Sequence, residues 1–211
     1  MPLSGADVVH WIEAFGADIE ANKDRLTQLD SAIGDGDHGI NMARGMRAAL
    51  VKIEGFDDPD IGKLLKTVGM ALVSSVGGAG GPLYGTLFMQ MGSTLAGAKE
   101  LTLEDWARAL EAGLNGVRAR GKAEPGDKTM LDALVPALDA LNEAVAQDAS
   151  FGDALKRSAA AAEQGAADTI PLVARKGRAS YLGERSAGHQ DPGATSSHLL
   201  LEAAASAMAN D

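Results

Sequence analysis

The sequence has no cysteine, which excludes disulfides and thiolate metal sites. Aromatic residues make up only 4% of it, while alanine is spread throughout. Strands are enriched in aromatic and β-branched side chains, so this scarcity favours closely packed helices. Basic residues are outnumbered: 19 Lys and Arg against 29 Asp and Glu leave a net charge of −10. Nucleic-acid binding rests on clustered Lys and Arg, and this balance argues against it. An anionic ligand would need a local positive device, such as a metal ion or helix N-termini. Long apolar runs are also missing, so no stretch reaches the length of a membrane span. The N-terminal "MPLSGADVVHWIEAF" lacks the basic start and apolar run of a signal peptide, and a cytoplasmic protein is expected. What remains is ordinary for a globular chain: 211 residues, 45% hydrophobic and 23% charged. That suits one domain, residues 1–211, with a sizeable core.

The convincing periodicities are helical. Ser4 with Asp7 reads as a capping box, and Val8, Trp11, Ile12, Phe15 and Ile19 fall on one stripe of the helix that follows. A second helix is expected from about His38 to Ile53. Asp58 before Pro59 marks the start of a third, which ends in the glycines near Gly77. Pro82 opens a fourth. Thr102 with Asp105 caps a fifth, running to about Arg120, and Thr129 with Asp132 caps a sixth, which Pro136 should bend. Ser150 with Asp153 caps a seventh, and Pro192 opens an eighth. No alternating strand, low-complexity tract or repeat is visible.

The expected fold is all-α, a bundle or barrel of eight antiparallel up-and-down helices. In that topology alternate loops share an end. "DSAIGDGDHG", "GGAGGP", "GKAEPGDKT" and "RKGRASYLGERSAGHQDPG" then meet at one rim. The other end holds plain connectors, "EGFDDPD", "AKELT" and "QDAS". A helix of about 18 residues spans roughly 27 Å, so a small ligand can use only one end.

Asp30, Asp35 and Asp37 crowd the first rim loop, and carboxylate oxygens suit hard cations such as Mg²⁺ and Ca²⁺. An EF-hand is excluded, because Gly39 and Met46 stand where its fifth and twelfth positions need ligands. Mg²⁺ shared between carboxylates and phosphate oxygens fits. So does a plainer reading, with Asp37 capping the second helix and Asp35 in a turn. "VGGAGGPLYG" lets backbone N–H groups approach an anion at a helix start, or is simply a turn; no Gly-Lys-Ser/Thr makes it a P-loop. Lys128 meets a phosphate or is solvated, and Met130 lines a slot for a planar base or belongs to the core. Arg175, Lys176, Arg178 and Arg185 make the last rim loop the most basic segment. Arginine offers forked recognition of phosphate, and long loops in compact domains are often lids or binding loops. His38 and His189 lie in the rim loops, but no His, Ser or Asp stands out as a nucleophile or base. Together these features describe a Mg²⁺–polyphosphate site for a nucleotide, of the kind that assists phosphoryl transfer by positioning and charge stabilisation.

The set "IGDGDHGINM", "SSVGGAGGPLYGT", "RGKAEPGDKTM", "ARKGRASYLGERS" and "GHQDPGATS" spans essentially the whole chain. It resembles the nucleotide-binding L subunit of dihydroxyacetone kinase, of the phosphotransferase-system-dependent type. The resemblance implies a barrel of eight antiparallel helices with the nucleotide at one end. It implies that Asp30, Asp35 and Asp37 ligate two Mg²⁺ ions bridging the phosphates of ADP or ATP. His38, Gly39, Ile40 and Asn41 would start the helix beside the nucleotide, and Ala79 and Gly80 would cover phosphates with backbone amides. Gly121 and Met130 would border the adenine, Arg178 would reach the phosphates, and Asp191, Pro192 and Gly193 would close the site. One departure is visible: the family's loop commonly reads Gly-Gly-Ala-Ser-Gly, and here Gly80 replaces the serine, removing a hydroxyl contact. The resemblance also implies a separate K subunit that binds dihydroxyacetone through a histidine, so no catalytic residue is expected on this chain. A phosphohistidine-carrying protein would rephosphorylate the bound ADP. The same rim would serve a free-ATP-dependent kinase subunit for another small hydroxyketone, a related fatty-acid kinase, or a nucleotide-dependent module docking on a transcription regulator.

Overall fold

The computed structural model describes residues 2–208. Among them nine α-helices make up nearly all regular structure: α1 (Gly5–Ala21), α2 (Lys23–Ile33), α3 (His38–Ile53), α4 (Ile61–Ser75), α5 (Gly80–Thr94), α6 (Leu103–Gly121), α7 (Leu131–Ala146), α8 (Phe151–Asp168) and α9 (Pro192–Met208). A 3₁₀ segment, Arg178–Ser186, lies between α8 and α9. The expected count of eight is corrected by a break in the first helix. Asn22 leaves helical geometry at φ −98° and ψ 7°, and its side-chain amide donates to the Asp18 carbonyl at 2.9 Å. Asn competes with the helix for its own backbone groups, which is why it ends one here. α1 and α2 barely touch each other and both pack on α3, so the break is a kink and not a hairpin.

The sequence shows no strand, yet β1 (Leu3–Ser4) and β2 (Glu100–Leu101) form a two-residue antiparallel ladder, with Leu3 opposite Leu101. Such a short pairing carries no alternation to detect. Two helix starts also differ from expectation. Asp60, not Asp58, caps α4, accepting from the Lys63 N–H at 3.1 Å. α5 begins at Gly80, placing Pro82 inside its first turn, where the missing N–H costs nothing because that donor has no intrahelical partner.

From α2 to α9 each helix packs on the next in the chain, and α9 packs on α1. Trp11 joins these elements. Its ring lies edge-on to Trp106 of α6, with centroids 4.8 Å apart, and tilted against Phe88 of α5 at 5.6 Å. Its indole N–H donates to the Leu200 carbonyl of α9 at 2.9 Å. Each such fully buried large side chain contributes roughly 1.5–3 kcal/mol of hydrophobic stabilisation. Helices α4 and α5 approach at backbone distance: a Cβ on Gly69 would sit 2.8 Å from the Gly85 carbonyl oxygen, so this seam admits no side chain. No described helix is long and apolar enough to cross a membrane.

Candidate functional site

One pocket, about 860 Å³ with its open mouth included, is walled by all four rim connections. The α2–α3 turn contributes Asp30, Asp35, Asp37, His38 and Asn41, and the α4–α5 turn contributes Ala79 and Gly80. Met130 comes from the start of α7, Arg178 from the 3₁₀ segment, and Asp191, Pro192 and Gly193 from the start of α9. Gly121 stands apart, lining an adjoining apolar pocket that shares Met130, Ala79 and Leu83 with the first. Gly39 and Ile40 do not line either pocket. A Cβ on Gly39 would lie 2.0 Å from the Lys23 carbonyl oxygen, so this glycine serves the close approach of α2 and α3. The Ile40 side chain is 51% exposed.

The aspartates come together because α2 ends at Ile33 and Gly36 turns the chain at φ +73°, a conformation that favours glycine. One carboxylate oxygen from each of Asp30, Asp35 and Asp37 lies within 4.8 Å of the other two. Their roles differ. Asp30 is only 8% exposed, and its Oδ2 accepts from the backbone N–H groups of Asp37 at 2.8 Å and His38 at 3.1 Å. Asp30 therefore caps α3 from a distance. The plain reading of Asp37 as that cap is corrected, since its side chain makes no capping bond. Asp35 Oδ2 forms an ion pair with Arg178 Nη2 at 3.1 Å. Three clustered carboxylates facing one cation repel one another, and an all-oxygen set of this kind fits Mg²⁺ or Ca²⁺.

Two helix starts border the same pocket. No side chain caps α5, and its first intrahelical bond runs from the Leu83 N–H to the Ala79 carbonyl at 3.1 Å. In α3 the first such bond runs from the Asn41 N–H to the Asp37 carbonyl at 2.8 Å. In α5 the earlier N–H groups of the first turn suit an anion, which the helix dipole also favours, whereas in α3 those of Asp37 and His38 already serve Asp30. Arg44 fixes this wall. Its Nη2 donates to Asn41 Oδ1 and its Nε to the Ser75 carbonyl, both at 2.8 Å, linking α3 to the end of α4.

A polar chain beneath the pocket is absent from the sequence reading. His38 Nε2 lies 2.9 Å from Ser196 Oγ. Tyr84 OH lies 2.6 Å from Ser196 Oγ and 3.1 Å from Ser197 Oγ. The available signal was the Ser196-Ser197 pair inside an otherwise Leu- and Ala-rich helix. Burial lowers the His38 pKa against the opposing pull of Asp30 and Asp37, and burial pushes the Tyr84 phenol up to about 12. Burial likewise raises the Asp191 carboxyl to about 7; its Oδ2 accepts from the Ala194 N–H at 2.7 Å and so caps α9. Lys128 borders the pocket but is not solvated, and its ammonium is engaged elsewhere. It is 1% exposed, and its ammonium is surrounded by backbone carbonyls of Thr169, Ile170, Leu172, Ser186 and His189.

The family profile described as "DAK2 domain" matches residues 32–206. The chain belongs to the DAK2 domain family. It is 47% identical over 202 residues to "PEP-dependent dihydroxyacetone kinase, ADP-binding subunit DhaL" of Escherichia coli (strain K12), covering 96% of each chain. It is 41% identical over 194 residues to the "PTS-dependent dihydroxyacetone kinase, ADP-binding subunit DhaL" of Lactococcus lactis subsp. lactis (strain IL1403), covering 92% of this chain and 93% of the relative. Among solved structures, the dihydroxyacetone kinase from C. freundii in complex with AMP-PNP and Mg²⁺ matches with a TM-score of 0.70 at 29% identity. That match covers 98% of this chain and 34% of the kinase, so the chain spans about a third of it. The DAK2 domain match includes Asp35, Asp37, the glycine-rich turn, Arg178 and the start of α9; α1 and Asp30 precede it.

Proposed function

We propose that this chain is the ADP- and ATP-binding subunit of a dihydroxyacetone kinase, a cytoplasmic phosphotransferase whose helices form a barrel with the nucleotide at one end. The observation that carries the reading is the meeting of three carboxylates within 4.8 Å on a pocket that also holds the uncapped start of α5. Relatives named as ADP-binding subunits, at 41% to 47% identity over most of the chain, support it. Asp30, Asp35 and Asp37 would hold two Mg²⁺ ions, which supply charge neutralisation to the phosphates. Backbone N–H groups of Ala79 and Gly80 would donate to phosphate oxygens, with His38 and Asn41 on the same wall and Gly39 and Ile40 between them in the first turn of α3. Arg178 pairs with Asp35 through one nitrogen and keeps further N–H donors for phosphate. The adjoining pocket, apolar at Pro82, Leu83, Val117 and Ala123, receives adenine between Gly121 and Met130. The Asp191-Pro192-Gly193 turn closes the far side.

The names of the relatives support a further part of the reading: the acceptor sits on a separate K subunit, on its histidine, and a phosphohistidine-carrying phosphotransferase protein regenerates ATP from bound ADP. Calorimetric titration of ADP with and without Mg²⁺ tests the site. Asp35→Ala and Asp37→Ala should each weaken Mg²⁺-dependent binding by about tenfold or more, equivalent to about 1.4 kcal/mol, with the helical circular dichroism intact. Unchanged affinity in either variant returns that residue to a turn role. Appreciable turnover of dihydroxyacetone by the isolated chain would refute the need for a K subunit.

A further inference from the structure

Lys128 carries a buried charge without a carboxylate within ion-pair distance among the described residues. A buried ammonium is costly unless its donors are satisfied, and here the backbone satisfies them. Nζ lies 2.8 Å from the Thr169 carbonyl, 3.4 Å from Ile170, 3.1 Å from Leu172 and 2.8 Å from Ser186, and it also donates to His189. Three protons serve five acceptors, so none is left for a ligand. The residue itself is held in an unusual conformation, at φ +63°. Asp132 Oδ2 accepts the following N–H, that of Thr129, at 2.7 Å, and Asp127 Oδ2 accepts that of Glu124 at 2.9 Å.

All five carbonyls belong to one excursion of the chain between α8 and α9. Its base is closed by the Gly188 N–H on the Ile170 carbonyl at 2.7 Å, and its interior by the Ala174 N–H on Ser186 Oγ at 2.8 Å. The Arg175 N–H donates to the Asp127 carbonyl at 3.1 Å, next to Lys128 in the chain. From this closed loop Lys176, Gly177 and Arg178 reach the pocket, where Arg178 meets Asp35. An excursion this polar has little apolar surface of its own with which to hold a position: Ile33, Ala174 and Ala179 make its one small cluster, with Leu182 against it.

We infer that Lys128 is a positioning residue whose ammonium gathers the α8–α9 excursion and so sets Arg178 over the aspartates. This rests on the nucleotide-binding reading for its effect on affinity, and on geometry alone for its effect on the excursion. A double-mutant cycle with Lys128→Met and Arg178→Ala separates the two. Lys128→Met should weaken Mg²⁺–ADP binding by about tenfold, and by less than about threefold when Arg178 is already alanine, because residues acting through one another are non-additive. A residue that only stabilises the fold would give equal losses in both backgrounds, and that result, or unchanged affinity, overturns the inference. Trypsin cleavage after Arg175 and Lys176, followed by mass spectrometry, should be faster in Lys128→Met by about tenfold as local opening becomes easier. Should the unmodified protein bind no Mg²⁺–ADP, the nucleotide reading fails; cleavage still decides the anchoring, and a wild-type cleavage rate in the variant overturns it. If Lys128→Met does not fold, amide exchange on the unmodified protein takes its place. Ala174 and Gly188 should exchange far more slowly than exposed Gly177, and equal rates overturn the anchoring.

Discussion

Replacing Asp30 by alanine removes one oxygen that two backbone N–H groups share, those of Asp37 and His38 at 2.8 and 3.1 Å. Loss of a helix cap costs about 1 kcal/mol, and the second charge-assisted bond raises this to roughly 2–3 kcal/mol. A relief acts in the other direction. The Asp35 and Asp37 carboxylates lie within 4.8 Å, and like charges near 4 Å repel by about 1 kcal/mol each in water. Asp30→Ala should therefore lose a net stability of about 1 kcal/mol without metal, lowering Tm by about 2–4 °C for a chain of this size. Asp30→Asn keeps an acceptor oxygen toward both N–H groups and gains the same relief, so it should match or exceed the unmodified protein. The gap between the two variants, about 2 kcal/mol or 4–8 °C, is the quantity to measure, by thermal melts in EDTA. Adding Mg²⁺ and ADP should then raise the Tm of the unmodified protein by ligand linkage and leave both variants nearly unmoved. An Asn variant that falls as far as the Ala variant in EDTA would refute the capping role. An Asn variant that gains as much from Mg²⁺–ADP as the unmodified protein would refute the need for charge at this position.

Three further outcomes follow from the structure. Because burial lifts the Asp191 carboxyl from 3.8 to about 7, the folded state binds this proton more tightly than the unfolded chain, and the contribution to stability falls as pH rises from about 4 to 7. Asp191→Asn should lack this decline, so urea midpoints of the two proteins converge near pH 4 and separate in the variant's favour by about 1 kcal/mol or more above pH 7; a pH-independent difference would contradict the assignment. Gly39→Ala would press a Cβ to 2.0 Å from the Lys23 carbonyl oxygen and 2.6 Å from Thr27 Oγ1, at a cost of roughly 1–3 kcal/mol, readable as a lowered Tm. Gly80→Ser meets Val76 Cγ1 at 3.3 Å, Met42 Sδ at 3.7 Å and His38 Cε1 at 4.0 Å and should stay within about 0.5 kcal/mol, so that any gain in nucleotide affinity by calorimetry reports the hydroxyl.

Helix starts are legible in this sequence where their chemistry is local. The Ser4–Asp7 and Thr102–Asp105 boxes form with both reciprocal bonds, because residues three apart at a helix start must meet. In "DDPD" three acids compete, and local pattern does not choose between them. Asp60 wins through a distant partner: its Oδ1 also accepts from the Gly97 N–H at 3.0 Å, on the connection after α5. Asp58 then receives the Asp60 N–H and the Lys63 ammonium, at 2.9 and 2.8 Å.

The meeting of four rim loops follows from counting alternating helices, and the kink at Asn22 leaves that count of ends unchanged because α1 and α2 do not fold back on each other. What escapes the sequence is any contact made by the main chain. The carbonyls around Lys128 lie 41 to 61 residues further on, and a carbonyl is present at every position, so no residue type marks those five. The rule extends to the site itself. Asp30, Asp35 and Asp37 are visible as letters, while the N–H groups of the α5 start are visible only as the absence of a cap. A polyphosphate pocket built half from carboxylates and half from backbone amides therefore shows its metal side in the sequence and its anion side only once the fold has placed a helix end against it.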